Sequence, residues 1–217
     1  MTTELTQCPN CGTKLKDGIL SSVKLLSENK TNIINEYHDE KATNYCNKCG
    51  EALYNSYKEY VNTEREELTE QIQEIIEALP IVSTHLPLNW EYDLIGIITG
   101  QSTTGNGALT EFVSSFSNFW GTQSGRYNKK IKEGENICFT QLRKQTLDLG
   151  GNAIIATDID YSEIGGEKGM LMVCMTGTAI RLKNLSILGK EREENIGKLT
   201  ELNDRIRVLS YYDTSEV

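Results

Sequence analysis

The stretch LGGNAIIATDIDYSEIGGEKGMLMVCMTGTAIRL, residues 149–182, decides the fold. Gly150-Gly151 closes whatever helix precedes it, because a left-handed glycine is the common helix terminator. Two β-branched and aromatic runs follow, residues 152–164 and 170–182, joined by Gly165-Gly166-Glu167-Lys168-Gly169. That pattern predicts an antiparallel hairpin. Alternation places Ile155, Thr157, Ile159 and Tyr161 on one face of the first strand, with Asp158 and Asp160 on the other, roughly 7 Å apart from the strand rise. Two such carboxylates suit a hard cation or acid-base chemistry, but no third ligand or base accompanies them, and a solvated strand face or a subunit contact is the better reading. Met170, Met172 and Cys174 share a face of the second strand. Thioether and thiol donors suit a soft metal such as Cu(I), and the same residues are ordinary packing groups.

Working outward, residues 127–149 carry Ile131, Cys138, Leu142 and Leu149 at helical spacing, which predicts a helix with Cys138 among apolar neighbours. Upstream, Leu94-Ile95-Gly96-Ile97-Ile98-Thr99-Gly100 is an apolar run bounded by glycines, a buried strand. Between them, Leu109, Phe112, Val113, Phe116, Phe119 and Trp120 predict an amphipathic helix, and Gly121-Thr122-Gln123-Ser124-Gly125 a loop without the spacing of a phosphate cradle. Downstream, Ile196, Leu199, Leu202, Ile206 and Leu209 stripe a helix over about residues 191–210.

The chain opens differently. Cys8-Pro9-Asn10-Cys11-Gly12 and Cys46-Asn47-Lys48-Cys49-Gly50 are two Cys-x-x-Cys-Gly knuckles. Two residues between thiols let one turn aim both sulfurs at one ion, and the glycine after each is read as supplying positive φ. Cys8, Cys11, Cys46 and Cys49 are therefore the candidate ligands of one structural Zn²⁺, with iron the alternative at the same thiolates. The 34 residues between the pairs exceed the usual 15–20 or so for this pattern. Residues 22–26 and 32–37 read as strands of an inserted hairpin. His38 reads as a surface residue once four thiolates are present, and His85 as structural or exposed. The rival chemistry is dithiol redox cycling, which wants a pair between a strand and a helix, and both pairs here read as short polar segments.

Charge bounds the partners. Of the formal net charge of −9, most sits in residues 57–80, where two basic residues face seven acidic ones. Val61, Leu68, Ile72, Ile75 and Leu79 form a single stripe there, an acidic amphipathic helix stopped by Pro80. Nucleic acid has little basic surface to meet. No apolar run approaches the roughly 18 residues of a membrane span, and the first residues resemble no secretory leader, so a cytoplasmic location is expected.

Residues 97–100, Ser124-Gly125-Arg126-Tyr127, the run from Leu149 to Ile155 followed by Asp158-Ile159-Asp160-Tyr161, and Gly169-Met170-Leu171-Met172-Val173 ending in Gly177-Thr178-Ala179 resemble the bacterial YbjQ-type family, in the family's order. Over residues 94–182 the resemblance implies a β-α-β-β dodecin-like subunit, ring-shaped pentamers and an association with heavy-metal binding, the family having no established biochemical activity. The loop at residues 121–123 departs from the family's usual glycine- and arginine-rich form. The expectation is an α+β chain: a zinc ribbon with inserted hairpin (1–53), an acidic helix (54–80), a linker (81–93), a YbjQ-like domain (94–182), and a C-terminal helix and tail (183–217). Its expected function is non-enzymatic binding or scaffolding by a homo-oligomer that displays zinc ribbons to a protein partner. Soft-metal sequestration by the YbjQ-like domain and thiol oxidoreduction are the alternatives.

Overall fold

The computed structural model describes residues 5–17, 22–103, 126–164 and 170–216. The predicted aromatic helix around residues 109–120, the 121–125 loop and the hairpin turn at 165–169 lie outside them. The chain divides into two compact units, Met1–Gln71 with Asp204–Val217, and Ile72–Asn203.

In the first unit, the stretch after the first knuckle does not form a hairpin. Residues 22–26 are extended, but they bridge Lys16 through Val23 and Cys46 through Leu25. The second predicted strand is instead helix α1, Glu28–Tyr37, whose N-cap Ser27 accepts a hydrogen bond from the Lys30 amide with Glu28 in the first turn. The β-branched pair Ile33-Ile34 that favoured a strand is fully buried on one face of this helix, beside Leu26, Tyr45, Tyr54 and Val61. Local capping and tertiary burial outweigh the weak strand propensity of two residues. Helix α2, Asn47–Ile75, starts at the second knuckle and is followed by a 3-10 turn, Ile76–Ala78.

In the second unit, β1 (Tyr92–Thr103), α3 (Arg126–Asp148), β2 (Ala153–Ile164) and β3 (Met170–Leu182) follow in chain order. The sheet is antiparallel in the order β1-β3-β2. The end of α3 is a Schellman cap: Gly150 has φ +76°, its amide reaches Leu147 O, and the Gly151 amide reaches Thr146 O. Ile98, Cys138, Leu142, Ile154, Val173, Met175 and Ala179 form the core between α3 and the sheet.

A bulge in β2 changes the predicted faces. Register slips between Ile155, opposite Thr178, and Asp158, opposite Thr176, and Ala156 takes φ +52°. Ile155 therefore points to the face away from α3, packing with Ile180 and Leu182 beneath Val82, Trp90, Leu185 and Leu188. Ile159 and Tyr161 stand opposite Met175 and Val173, and the Tyr161 hydroxyl donates to Glu135 of α3 at 2.6 Å. One inserted residue reverses the alternation for the rest of the strand.

Part of each sheet edge is occupied. Residues 80–84, read as linker, run parallel to β2: Ile154 N donates to Pro80 O, Val82 N to Ile154 O, Thr157 N to Val82 O and Ala156 N to Thr84 O. Along β1, side chains of α3 take the place of a further strand. The Gln145 amide donates to Thr99 O and accepts from Thr99 N, and Gln141 accepts from Gln101 N at 2.8 Å. Beyond a 3-10 turn (Leu185–Leu188), helix α4, Lys190–Ser210, buries Ile196 and Leu199, and its Asn203 amide donates to Leu147 O.

Candidate metal centre

The first knuckle is a small turn held by Cys8 N to Thr13 O and Gly12 N to Cys8 O, with the bridge Gln7 to Lys14 below it. Gly12 has φ +70°, the conformation expected of it. The second knuckle is built otherwise. Cys46 immediately precedes α2 and Cys49 lies in its first turn, where the Cys49 and Gly50 amides both reach Cys46 O. Gly50 is helical and is glycine because a Cβ there would lie 2.5 Å from Leu26 Cδ1 and 2.7 Å from Tyr45 Cβ.

These elements bring all four sulfurs within 4.8 Å of one another. Cys8–Cys49, Cys11–Cys46 and Cys46–Cys49 are each separated by 3.7 Å. A disulfide would need about 2.05 Å, whereas a tetrahedral ion with bonds near 2.3 Å places its sulfurs about 3.8 Å apart. The donor set and spacing thus fit one tetrahedrally coordinated metal ion. Cys8 and Cys46 are buried, Cys49 partly so, and Cys11 is exposed. The start of α2 adds favourable dipole charge for thiolates. Hydrogen bonds with the Thr13 hydroxyl and backbone draw the Cys11 thiol down to about 6, while burial pushes Cys49 up to about 12. A bound cation deprotonates coordinating thiols outright. Asn10 Nδ2 donates to Cys49 Sγ at 3.5 Å. Asn10 and Thr13 carry no sequence signal beyond lying in and next to the knuckle.

The other candidates do not converge. His38 ends α1 with Nδ1 3.1 Å from the Tyr57 hydroxyl, and His85 is exposed. Asp158 and Asp160 are exposed on the sheet face away from α3, opposite Thr176 and Cys174. Met172 and Cys174 are half-buried on that same face, and for Met170 only the backbone pairing with Ile164 is described. Cys138 is fully buried, donates to Val173 O at 3.4 Å, and is pushed up to about 11 by burial. Among the described residues, the only group of three or more His, Cys, Asp or Glu that closes around a point is the four-cysteine set. No helix among them is long and apolar enough to cross a membrane.

Residues 81–183, just under half the chain, match the model of the YbjQ-type family, described as "Putative heavy-metal-binding". The match begins where the edge segment beside β2 begins, upstream of β1, and the four cysteines lie outside it. A solved structure of a protein of unknown function from Pediococcus pentosaceus, of the DUF74 family, is similar over 48% of this chain and 98% of its own, at 16% identity and a TM-score of 0.33.

Proposed function

We propose that Cys8, Cys11, Cys46 and Cys49 hold one structural Zn²⁺, and that the chain is a non-enzymatic binding or scaffolding protein. In this reading a dodecin-like domain self-associates, as a pentamer, and displays the ribbons to a protein partner. The metal assignment rests on the convergence of all four sulfurs within 4.8 Å, with three pairs at 3.7 Å, the separation a tetrahedral tetrathiolate requires. Self-association is supported by the exposure of Leu94 (70%) and Ile97 (77%) on β1, large apolar side chains at one edge of the sheet. Zinc bound in this way would orient the second knuckle at the start of α2 and supply no open coordination position for catalysis. The dithiol alternative gains one feature, since the second pair opens a helix, and loses it to the crowding of four sulfurs into one set. A cytoplasmic location suits reduced thiolates. Native mass spectrometry tests both parts at once: five subunits with one zinc each is the expected result, and a monomer or metal-free chain would refute the corresponding part.

The family description favours a second reading, in which the sheet domain sequesters a soft metal through Met170, Met172 and Cys174. A chain with the four knuckle cysteines replaced by serine then retains bound Cu(I). A metal-free variant eliminates this reading.

A further inference from the structure

The segment between the sheet-edge residues 80–84 and β1 is short and apolar at its tip. Leu86 and Leu88 flank Pro87 and are 80% and 85% exposed. The turn that carries them is fixed by hydrogen bonds. Trp90 N donates to Pro87 O at 3.4 Å, and Asn89 takes φ +63°. The Asn184 side chain donates to Asn89 O at 2.8 Å and accepts from Glu91 N at 3.1 Å, while Lys183 N donates to Glu91 O at 2.7 Å. Leucines held in solvent on a clamped turn are pre-organised for contact, because little loop ordering is left to oppose binding.

Further apolar side chains are exposed on the same side of the sheet. Residues directly opposite in an antiparallel pair share a face. Leu94 stands opposite Ile180 and Ile97 opposite Thr178, so both lie on the face away from α3. Trp90, Leu185 and Leu188 pack onto that face, which puts their chain neighbours Leu88 and the 42%-exposed Ile187 at the same surface. Asn184 ties these carriers together, since it precedes the Leu185–Leu188 turn and binds Asn89. Among the described residues of the second unit, the other exposed large apolar side chains are Leu149, at the end of α3, and Ile159 and Tyr161, on the α3 face.

The five aliphatic side chains expose on the order of 350 Å², at about 100 Å² each when fully exposed. Stable interfaces at the small end bury about 600 Å² per partner, a little over half of it apolar. This one patch therefore supplies the apolar share of a whole interface. Asp93, next to Leu94, is neutralised by Lys183 at 2.6 Å, as a surface that meets another copy of the same acidic chain requires. Strand pairing at the edge of β1 is the poorer route. The register shift after Leu94 breaks the ladder there, and Gln141 and Gln145 occupy the backbone groups beyond it.

We infer that Leu86, Leu88, Leu94, Ile97 and Ile187 form the surface through which a second copy of this chain binds. The inference rests on the self-association proposed above and gives it a location. Copies meet by side-chain packing on the sheet face away from α3, with the clamped Leu86-Pro87-Leu88 turn as the projecting element.

The test compares the full-length wild type with a variant carrying Leu88→Asp and Leu94→Asp, by native mass spectrometry over a dilution series. Both side chains face mostly solvent, so circular dichroism should be unchanged. The variant is expected to need at least tenfold more protein to assemble than the wild type. Tyr211→Asp, at an equally exposed aromatic of the first unit, should leave assembly as it is. A wild-type oligomer that the double substitution leaves intact overturns the inference while the proposed self-association stands. Equal loss of assembly in Tyr211→Asp overturns it too, because added charge anywhere would then suffice. A monomeric wild type overturns both readings. Its sedimentation with phosphatidylcholine vesicles, absent in the double variant, would then assign the patch to a lipid surface. Should the double variant lose its helical signal, Leu88→Asp alone decides by the same dilution series.

Discussion

A methyl group added to Gly50 would meet Leu26 and Tyr45, whereas one added to Gly12 would meet nothing within 4 Å. Gly50→Ala should therefore destabilise the first unit by about 1–3 kcal/mol through overpacking, despite alanine's better helix propensity. Gly12→Ala should cost roughly 1–2 kcal/mol through backbone strain alone. Urea denaturation of the two variants separates these causes, since Leu26→Ala in the same chain removes the closer of the two Gly50 clashes and leaves the Gly12 strain untouched. Arg205 makes a different kind of contribution. Its guanidinium bridges Glu64, at 2.6 Å, and Glu36, and all three side chains are about a third exposed or less. The Arg205 hydrogen bond, aided by that from Tyr37, holds Glu64 below the usual carboxylate range against burial. Burial pushes Glu36 the other way, but hydrogen bonds from Tyr212 and Arg205 prevail and leave it lowered too. Because both folded values are depressed, the stabilisation is complete above the ordinary glutamate value of about 4.3 and is lost as pH falls through the folded values. Arg205→Leu should cost roughly 1–2 kcal/mol at pH 7, discounted for partial exposure, and progressively less towards pH 3. A difference between the two proteins that does not shrink on acidification would contradict this account.

At the scale of elements, strands and helices are set by short-range pattern, and their edges by longer-range contacts. Gln141 and Gln145, one turn apart on α3, satisfy backbone groups of β1 that would otherwise offer a template for another strand. Replacing both with leucine should leave α3 intact, since leucine is a good helix former, but free the outward amides of Thr99 and Gln101. Light scattering is expected to show association beyond the wild-type state. An unchanged size distribution would mean that these bonds serve only to dock the helix. The bulge at Ala156 is a second device of this kind. It gives β2 one face for the α3 core and turns Ile155 to the cluster around Trp90 and Leu185.

For the whole molecule, each of the two compact units has a hydrophobic cluster of its own, and the four-cysteine set lies in the first. The sulfurs join the N-terminal turn of α2 to the knuckle at residues 8–11, so metal binding there is expected to act as folding energy for the first unit. A strong chelator should expose the Met1–Gln71 region to limited proteolysis while leaving Ile72–Asn203 resistant, and Cys46→Ser should reproduce that pattern. Equal protection of both regions after complete metal removal would show that the helical cluster around Ile33 and Tyr54 folds without the ion.

The sequence by itself determined what depends on neighbours along the chain: the pairing of cysteines with two residues between them, the limits of β3 and of α3 with its Gly150 cap, and the apolar stripe of α4. Each of these is written in a few adjacent residues, so spacing alone exposes it. Tertiary structure decided the rest. It made α1 a helix because burying Ile33 and Ile34 against Tyr54 and Val61 outweighs their strand preference. It required Gly50 for lack of space, turned residues 80–84 into an edge of the sheet, and reversed the faces of β2 at Ala156. Those outcomes depend on partners more than 20 residues away, such as Leu26 for Gly50, Ile154 for Pro80 and Thr178 for Ile155, and no local pattern encodes which partner a side chain will meet.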